Sequence, residues 1–156
     1  MPNSENPHGE WWVSACPHEY RRGKEWEQEH MPSLGIEILG LPPEACSPNA
    51  RVHWVVRHKA TTDARLAAGW EAMVAKPDDW ETPEKATVQF TFVVPDRRRR
   101  DSDNFVGRAK SFLDGLVDAG VIKDDSAECL TLLPPKFEVS KELSPRTRIR
   151  VEDLQR

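Results

Sequence analysis

The chain has 156 residues, 38% of them hydrophobic and 31% charged, with a net charge of −4. That length suits one domain with a real core, and the negative sum excludes indiscriminate coating of nucleic acid, although local charge distribution outweighs the total. No apolar run approaches the ~20 residues that cross a bilayer and no signal-peptide core opens the chain, so no membrane partner is expected; three scattered cysteines (Cys16, Cys46, Cys129) without any CxxC fit a reduced cytoplasm.

Residues 1–33 read as an N-terminal extension, partly disordered or docked, ahead of a domain over residues 34–156. Trp11, Trp12, Tyr20 and Trp26 interrupt its polar composition with neither a strand nor a helix period. Cys16, His18 and His30 lack a second cysteine at ligand spacing, so zinc is not expected there.

The domain opens with a predicted strand over Gly35–Leu41, where Ile36 and Ile38 alternate with polar neighbours before Pro42-Pro43 ends it. From Asn49 through Arg51, His53, Trp54, Arg57, His58 and Lys59, bases interleave with aromatic side chains. This pattern suits stacking on nucleotides and contact with phosphates, and equally suits an ordinary amphipathic surface. Thr61 or Thr62 then predicts the N-cap of a helix to about Ala75, with Leu66, Trp70, Met73 and Val74 on its buried stripe. Lys76-Pro77-Asp78-Asp79 stops it. Ala86–Val94 is the clearest strand, alternating Val88, Phe90, Phe92 and Val94 with polar residues until Pro95.

Chemistry concentrates just beyond this strand. Arg97, Arg98, Arg99 and Arg100 run directly into Asp101, Ser102, Asp103 and Asn104. Carboxylates ~5 Å apart repel by roughly 3 kcal/mol at an effective dielectric near 20, so acids placed together call for a cation. Mg²⁺ suits oxygen donors, and guanidinium forks suit phosphate oxygens. A solvated salt-bridge network is the plainer alternative. Asp103 or Asn104 can cap one helix running to Gly120, with Phe105, Ala109, Phe112, Leu113, Leu116 and Val117 facing the core. Asp103, Gly107, Lys110 and Asp114 lie on the opposite side, so Lys110 either pairs with Asp114 at i, i+4 or sits as a cation beside a metal site. Asp124 and Asp125 wait beyond the helix.

Glu128–Leu133 and Lys136–Val139 are shorter strand candidates separated by Pro134-Pro135. Near the end, Arg146, Arg148 and Arg150 alternate with Thr147, Ile149 and Val151, placing three arginines on one sheet face. Such a row can track a phosphate backbone or guard a solvated sheet edge. The element order predicts a mixed α/β (α+β) fold: a single compact domain with a small sheet and two main helices.

The run Arg98–Asp101, Asp103-Asn104, Lys110, Asp114 and then Leu116-Val-Asp-Ala-Gly120-Val-Ile-Lys-Asp124-Asp125-Ser126 resembles the signature of RusA-type Holliday junction resolvases, a family common in phages and prophages. Flanking similarity, including Leu39–Pro43 and Asn49–Trp54, extends over residues 35–152. The resemblance implies a Mg²⁺-dependent endodeoxyribonuclease, Mn²⁺ being a possible substitute, that resolves four-way junctions by paired nicks in DNA recombination and repair. It implies that Asp101, Asp103 and Asp125 bind the metal, that Lys110 assists catalysis, and that the enzyme is a homodimer in a bacterial or phage-infected cytoplasm. Arg97–Arg100, Asn49, Arg51 and His53 are the expected DNA contacts. Two departures stand out: Ala127 occupies a position where that family often has Gln, and the interval from Asn104 to Lys110 is longer than in some members. A non-catalytic DNA-binding module of phage origin is the alternative.

Overall fold

The computed structural model describes residues 32–154, so the expectations for residues 1–31, including the tryptophan-rich extension and Cys16, His18 and His30, lie outside the described residues. In chain order the elements are β1 (Ser33–Leu39), a 3-10 turn (Glu44–Cys46), α1 (Trp54–Ala75), β2 (Ala86–Val94), α2 (Ser102–Arg108), α3 (Lys110–Asp118), β3 (Leu130–Leu132), β4 (Lys136–Val139) and β5 (Arg146–Asp153). This is the expected mixed α+β domain, with a five-stranded mixed sheet and two main helices, α1 and α3.

Strand order is β1-β5-β2-β3, and β4 also pairs with β2. β5 runs antiparallel to both neighbours, so that Ile149 lies opposite Ile36 on β1 and Phe90 on β2. β3 and β4 run parallel to β2 along its other side, β3 beside Ala86–Val88 and β4 beside Thr91–Val94. Pro134-Pro135 separates them, as proline supplies no amide for a continuous ladder.

Alternation gives the sheet two faces. Leu34, Ile36, Ile38, Val88, Phe90, Phe92, Val94, Ile149 and Val151 are buried in one hydrophobic cluster with residues of the helices, each large side chain contributing roughly 1.5–3 kcal/mol. Phe92 stands 5.1 Å from Phe105 of α2 and 5.5 Å from Phe137 of β4, ring centre to ring centre, and Phe105 meets Phe137 edge-on at 5.4 Å. This three-ring contact fixes α2 against the end of β2.

The structure corrects three expectations. The first helix begins at Trp54, with His53 as its N-cap accepting from the Val55 amide, well before Thr61. Its buried residues are Ala64, Ala68 and Ala72, whereas Leu66, Trp70, Met73 and Val74 are between 59% and 69% exposed. The reason lies in the partner helix. A β-carbon at Gly115 of α3 would crowd the Arg65 carbonyl, lie 2.8 Å from the Gly69 nitrogen and 2.9 Å from the Ala68 β-carbon, so the backbones approach too closely for large side chains.

Secondly, the single helix expected from Asp103 or Asn104 to Gly120 is two. α2 is capped by Asp101, and the chain breaks at Ala109 (φ −79°, ψ 0°) before α3 begins at Lys110. The core side holds across the break: Phe105, Ala109, Phe112, Leu113 and Leu116 are all buried.

Thirdly, β5 is interior to the sheet, so its arginines do not guard an edge. They also do not form a free cationic row: Arg146 pairs with Glu37 at 2.7 Å, Arg148 with Glu37 and Glu138 at 3.1 and 2.9 Å, and Arg150 with Glu152 at 2.6 Å.

Candidate functional site

Asp101 and Asp103 stand at the start of α2, Asp114 lies within α3, and Asp124 and Asp125 lie in the loop after α3. β2 ends at Val94, and the turn after it is tied by Asp96. Its carboxylate accepts the Arg98 amide at 3.0 Å and the Arg100 guanidinium at 2.7 Å, while Arg100 also donates to the carbonyls of Asp96 and Arg98 at 2.9 and 3.0 Å. The amide bond from Arg98, then the Arg100 guanidinium, holds the Asp96 carboxyl below its ordinary range. The four arginines therefore divide. Arg100 is spent on the turn, Arg98 reaches Asp96 at 3.3 Å but stays 85% exposed, and Arg97 and Arg99 are exposed outside this knot.

Asp101 accepts the amides of Asp103 (3.0 Å) and Asn104 (3.4 Å) on one carboxylate oxygen, supplying two of α2's unpaired first-turn donors. Its other oxygen takes no part in this capping, and both Asp101 and Asp103 are exposed. Asn104, a candidate cap from sequence, instead accepts the Ser47 hydroxyl at 2.6 Å.

One residue past the helix break, Lys110 donates to Asp114 at 3.3 Å and makes a closer ion pair with Asp125. The Asp125 bond, followed by that of Asp114, raises the lysine above its ordinary value, so it remains an ammonium throughout the neutral range. Asp124 is exposed and engaged with Ser126, whose hydroxyl holds its carboxyl low. Of the two adjacent acids it is Asp125 that reaches Lys110.

The loop carrying Asp125 is anchored by bonds that sequence patterns do not display. Three successive carbonyls at the end of α3 each receive a side-chain donor: Ala119 from Lys76 (2.7 Å), Gly120 from Thr82 (2.6 Å) and Val121 from Trp80 (3.2 Å). The first satisfies a carbonyl that the helix end leaves orphaned, and the other two pin the chain just beyond it. Gly120, at φ +68°, makes the left-handed turn there. Arg65 adds a paired contact to Asp118, one bond measuring 2.6 Å.

Arg108, not singled out from sequence, is a second anchor. It is buried over the Phe105 ring, 4.6 Å from the ring centre, and its guanidinium donates to the carbonyls of Pro42 and Pro43. Its i, i+3 spacing from Phe105 is the only local hint. Asn49, Arg51 and His53 are exposed in the segment after those prolines.

Lys110, Asp114 and Asp125 are thus brought together, and Asp101 and Asp103 share the start of the preceding helix. Among the described residues no group of three or more His, Cys, Asp or Glu side chains is arranged to hold a metal ion. The donor chemistry nonetheless fits a hard divalent cation: carboxylate oxygens only, with one oxygen of Asp101 and the whole of the Asp103 carboxylate outside the helix-capping bonds. No helix among the described residues is long and apolar enough to cross a membrane.

No protein-family profile matches the chain. Over 91 residues it is 35% identical to an uncharacterized protein of Xylella fastidiosa, covering 55% of this chain and 58% of that one. Over 101 residues it is 32% identical to the crossover junction endodeoxyribonuclease RusA of Aquifex aeolicus, covering 65% of this chain and 64% of that one. The chain therefore matches less than two thirds of the length of either relative, and its likeness to RusA is a distant one.

Proposed function

We propose that the chain is a metal-dependent endodeoxyribonuclease that resolves branched DNA, four-way junctions foremost, as a homodimer. The observation that carries this reading is the meeting of Lys110 with Asp125, from fifteen residues downstream, at a lysine two residues beyond the helix that opens on Asp101 and Asp103. The distant similarity to RusA supports the same chemistry. A two-fold dimer suits it, since a junction must be nicked at two symmetry-related strands.

Asp101, Asp103 and Asp125 would hold Mg²⁺, or Mn²⁺ in its place, which when bound would supply water activation and charge neutralisation at a phosphodiester. Mg²⁺ usually takes one or two protein carboxylates and completes its shell with water and substrate phosphate, so a closed three-carboxylate cage is not required beforehand. Lys110, always protonated at neutral pH, acts as a cation beside the scissile phosphate rather than as a base. Asp114 is a positioning residue that steadies that ammonium. Arg97, Arg98 and Arg99 contact flanking phosphates, fixing position without reading sequence, while Arg100 shapes the turn that presents them. Asn49, Arg51 and His53 extend the DNA contact.

A non-catalytic DNA-binding module is the second reading, favoured by the lack of a three-ligand group among the described residues. Nicking of a synthetic four-way junction with and without Mg²⁺ separates the two. Asp103→Asn and Asp125→Asn should each lower the cleavage rate at least about a hundredfold, close to 3 kcal/mol of barrier, while junction binding persists. Normal cutting by Asp103→Asn sinks the metal assignment, and binding without any cutting by the wild-type chain favours the module.

A further inference from the structure

We infer that Trp54 is a base-stacking residue, forming with Arg57 and His58 a platform that receives an unpaired nucleotide of the branched DNA. The inference deepens the proposed junction-cutting reading and rests on it for the identity of the substrate.

Trp54 is 70% exposed although it is the largest side-chain type and opens a long helix. It is not a stray core residue, because the face of α1 that meets the core is the alanine stripe beginning at Ala64. Its surroundings are cationic: Arg51 and Arg57 flank it in sequence with no carboxylate between Arg51 and Thr62, within a chain whose net charge is −4, while Lys59 is paired with Asp63 at 2.6 Å. Val52, Trp54, Arg57, His58 and Thr61 line one shallow open depression, and the His53 ring stands beside the indole at 5.9 Å with a 35° tilt. An aromatic face flanked by cations is what an unstacked base with its phosphate requires.

Position points the same way. The segment carrying Trp54 is bound to the acid-bearing helix by contacts at three successive levels. Asn104 accepts the Ser47 hydroxyl at 2.6 Å, and a β-carbon at Gly107 would meet Pro48 at 3.1 Å. Arg108 holds the Pro42 carbonyl at 3.0 Å. Arg57 then ties the start of α1 back to the Ala50 carbonyl at 2.5 Å. The indole is therefore carried on the same support as Asp101 and Asp103. A base stacked on it fixes where the strand's phosphates pass those acids, as a site on rigid elements should.

The competing occupant of so exposed a tryptophan is a second copy of the chain, and one set of measurements tells the two apart. Binding of a fluorescent single-stranded oligonucleotide and of a junction carrying 2-aminopurine at the branch is measured in EDTA, so that no cleavage chemistry enters. Trp54→Ala should weaken oligonucleotide binding about tenfold, within the range for loss of one stacked base, leave the salt slope unchanged, and abolish the change in 2-aminopurine fluorescence. Trp54→Phe should restore most of both. Trp70→Ala, equally exposed on the same helix but away from the cations, should bind within about twofold of wild type. The inference is overturned if Trp54→Ala binds normally, if both tryptophan variants lose affinity equally, or if light scattering shows that Trp54→Ala changes the oligomeric state. Trp54-dependent binding with no junction cleavage under Mg²⁺ would sink the nuclease reading and leave the platform standing.

Discussion

Asp96 lies five residues before the first proposed metal ligand and touches none of the acids, yet its bonds to the Arg98 amide and the Arg100 guanidinium give the turn its shape. Because its folded carboxyl lies below the ordinary 3.8, the stabilisation is present above that pH and is lost as pH falls through the lower folded value. Asp96→Asn should therefore be less stable than wild type at neutral pH, with the gap closing below about pH 4, as read by urea denaturation across a pH series. A gap that stays constant with pH removes the ionised bond as its cause. At this scale the sequence displays the chemistry well and the bonding badly. Asp101, Asp103 and Lys110 stand out by residue type and spacing, whereas Asp125 is told from its neighbour Asp124 only by the family resemblance. That Arg100 folds back on Asp96 while Arg97 and Arg99 remain outside depends on a loop conformation with no periodicity to read.

Among the elements, the sharpest contrast lies between β2 and α1. β2 is legible because Val88, Phe90, Phe92 and Val94 repeat every second position on a buried face, although burial of Thr87 and Val93 on its other side follows from packing that this period does not display. The buried face of α1 is not, because hydrophobicity selects the large residues, whereas burial there is decided by a glycine on a different helix, Gly115, far along the chain. Two substitutions test this. Gly115→Ala should destabilise the protein by about 1–3 kcal/mol through overpacking against Arg65, Ala68 and Gly69. Leu66→Gln, which a conventional amphipathic reading makes severe, should change stability by less than about 0.5 kcal/mol because that leucine is 66% exposed. Both are measured by chemical denaturation, and the reverse ranking would place the wrong face of α1 against α3. The helix break at Ala109 is hidden for a related reason. The core-facing residues keep their spacing through it, and alanine carries no signal of a break.

For the whole molecule, the topology makes the last strand the keystone. A row of alternating arginines suggests an exposed edge, yet an antiparallel strand can sit in the middle of a sheet with one charged face to solvent. Among the described residues β1 has β5 as its only strand neighbour, and β2 has β5 along one whole side. A chain ending before Arg146 should thus lose cooperative unfolding and the dispersed amide spectrum of a folded domain; retention of both would show that β1 and β2 can dispense with β5. Synthesis on a ribosome gives this arrangement a temporal meaning. While the emerging polypeptide still has Arg146–Asp153 inside the exit tunnel, β1 has no strand to pair with and β2 can pair only on the side taken by β3 and β4. Joining of β1 to the rest of the sheet waits until that segment emerges and slides between two partners synthesised long before it.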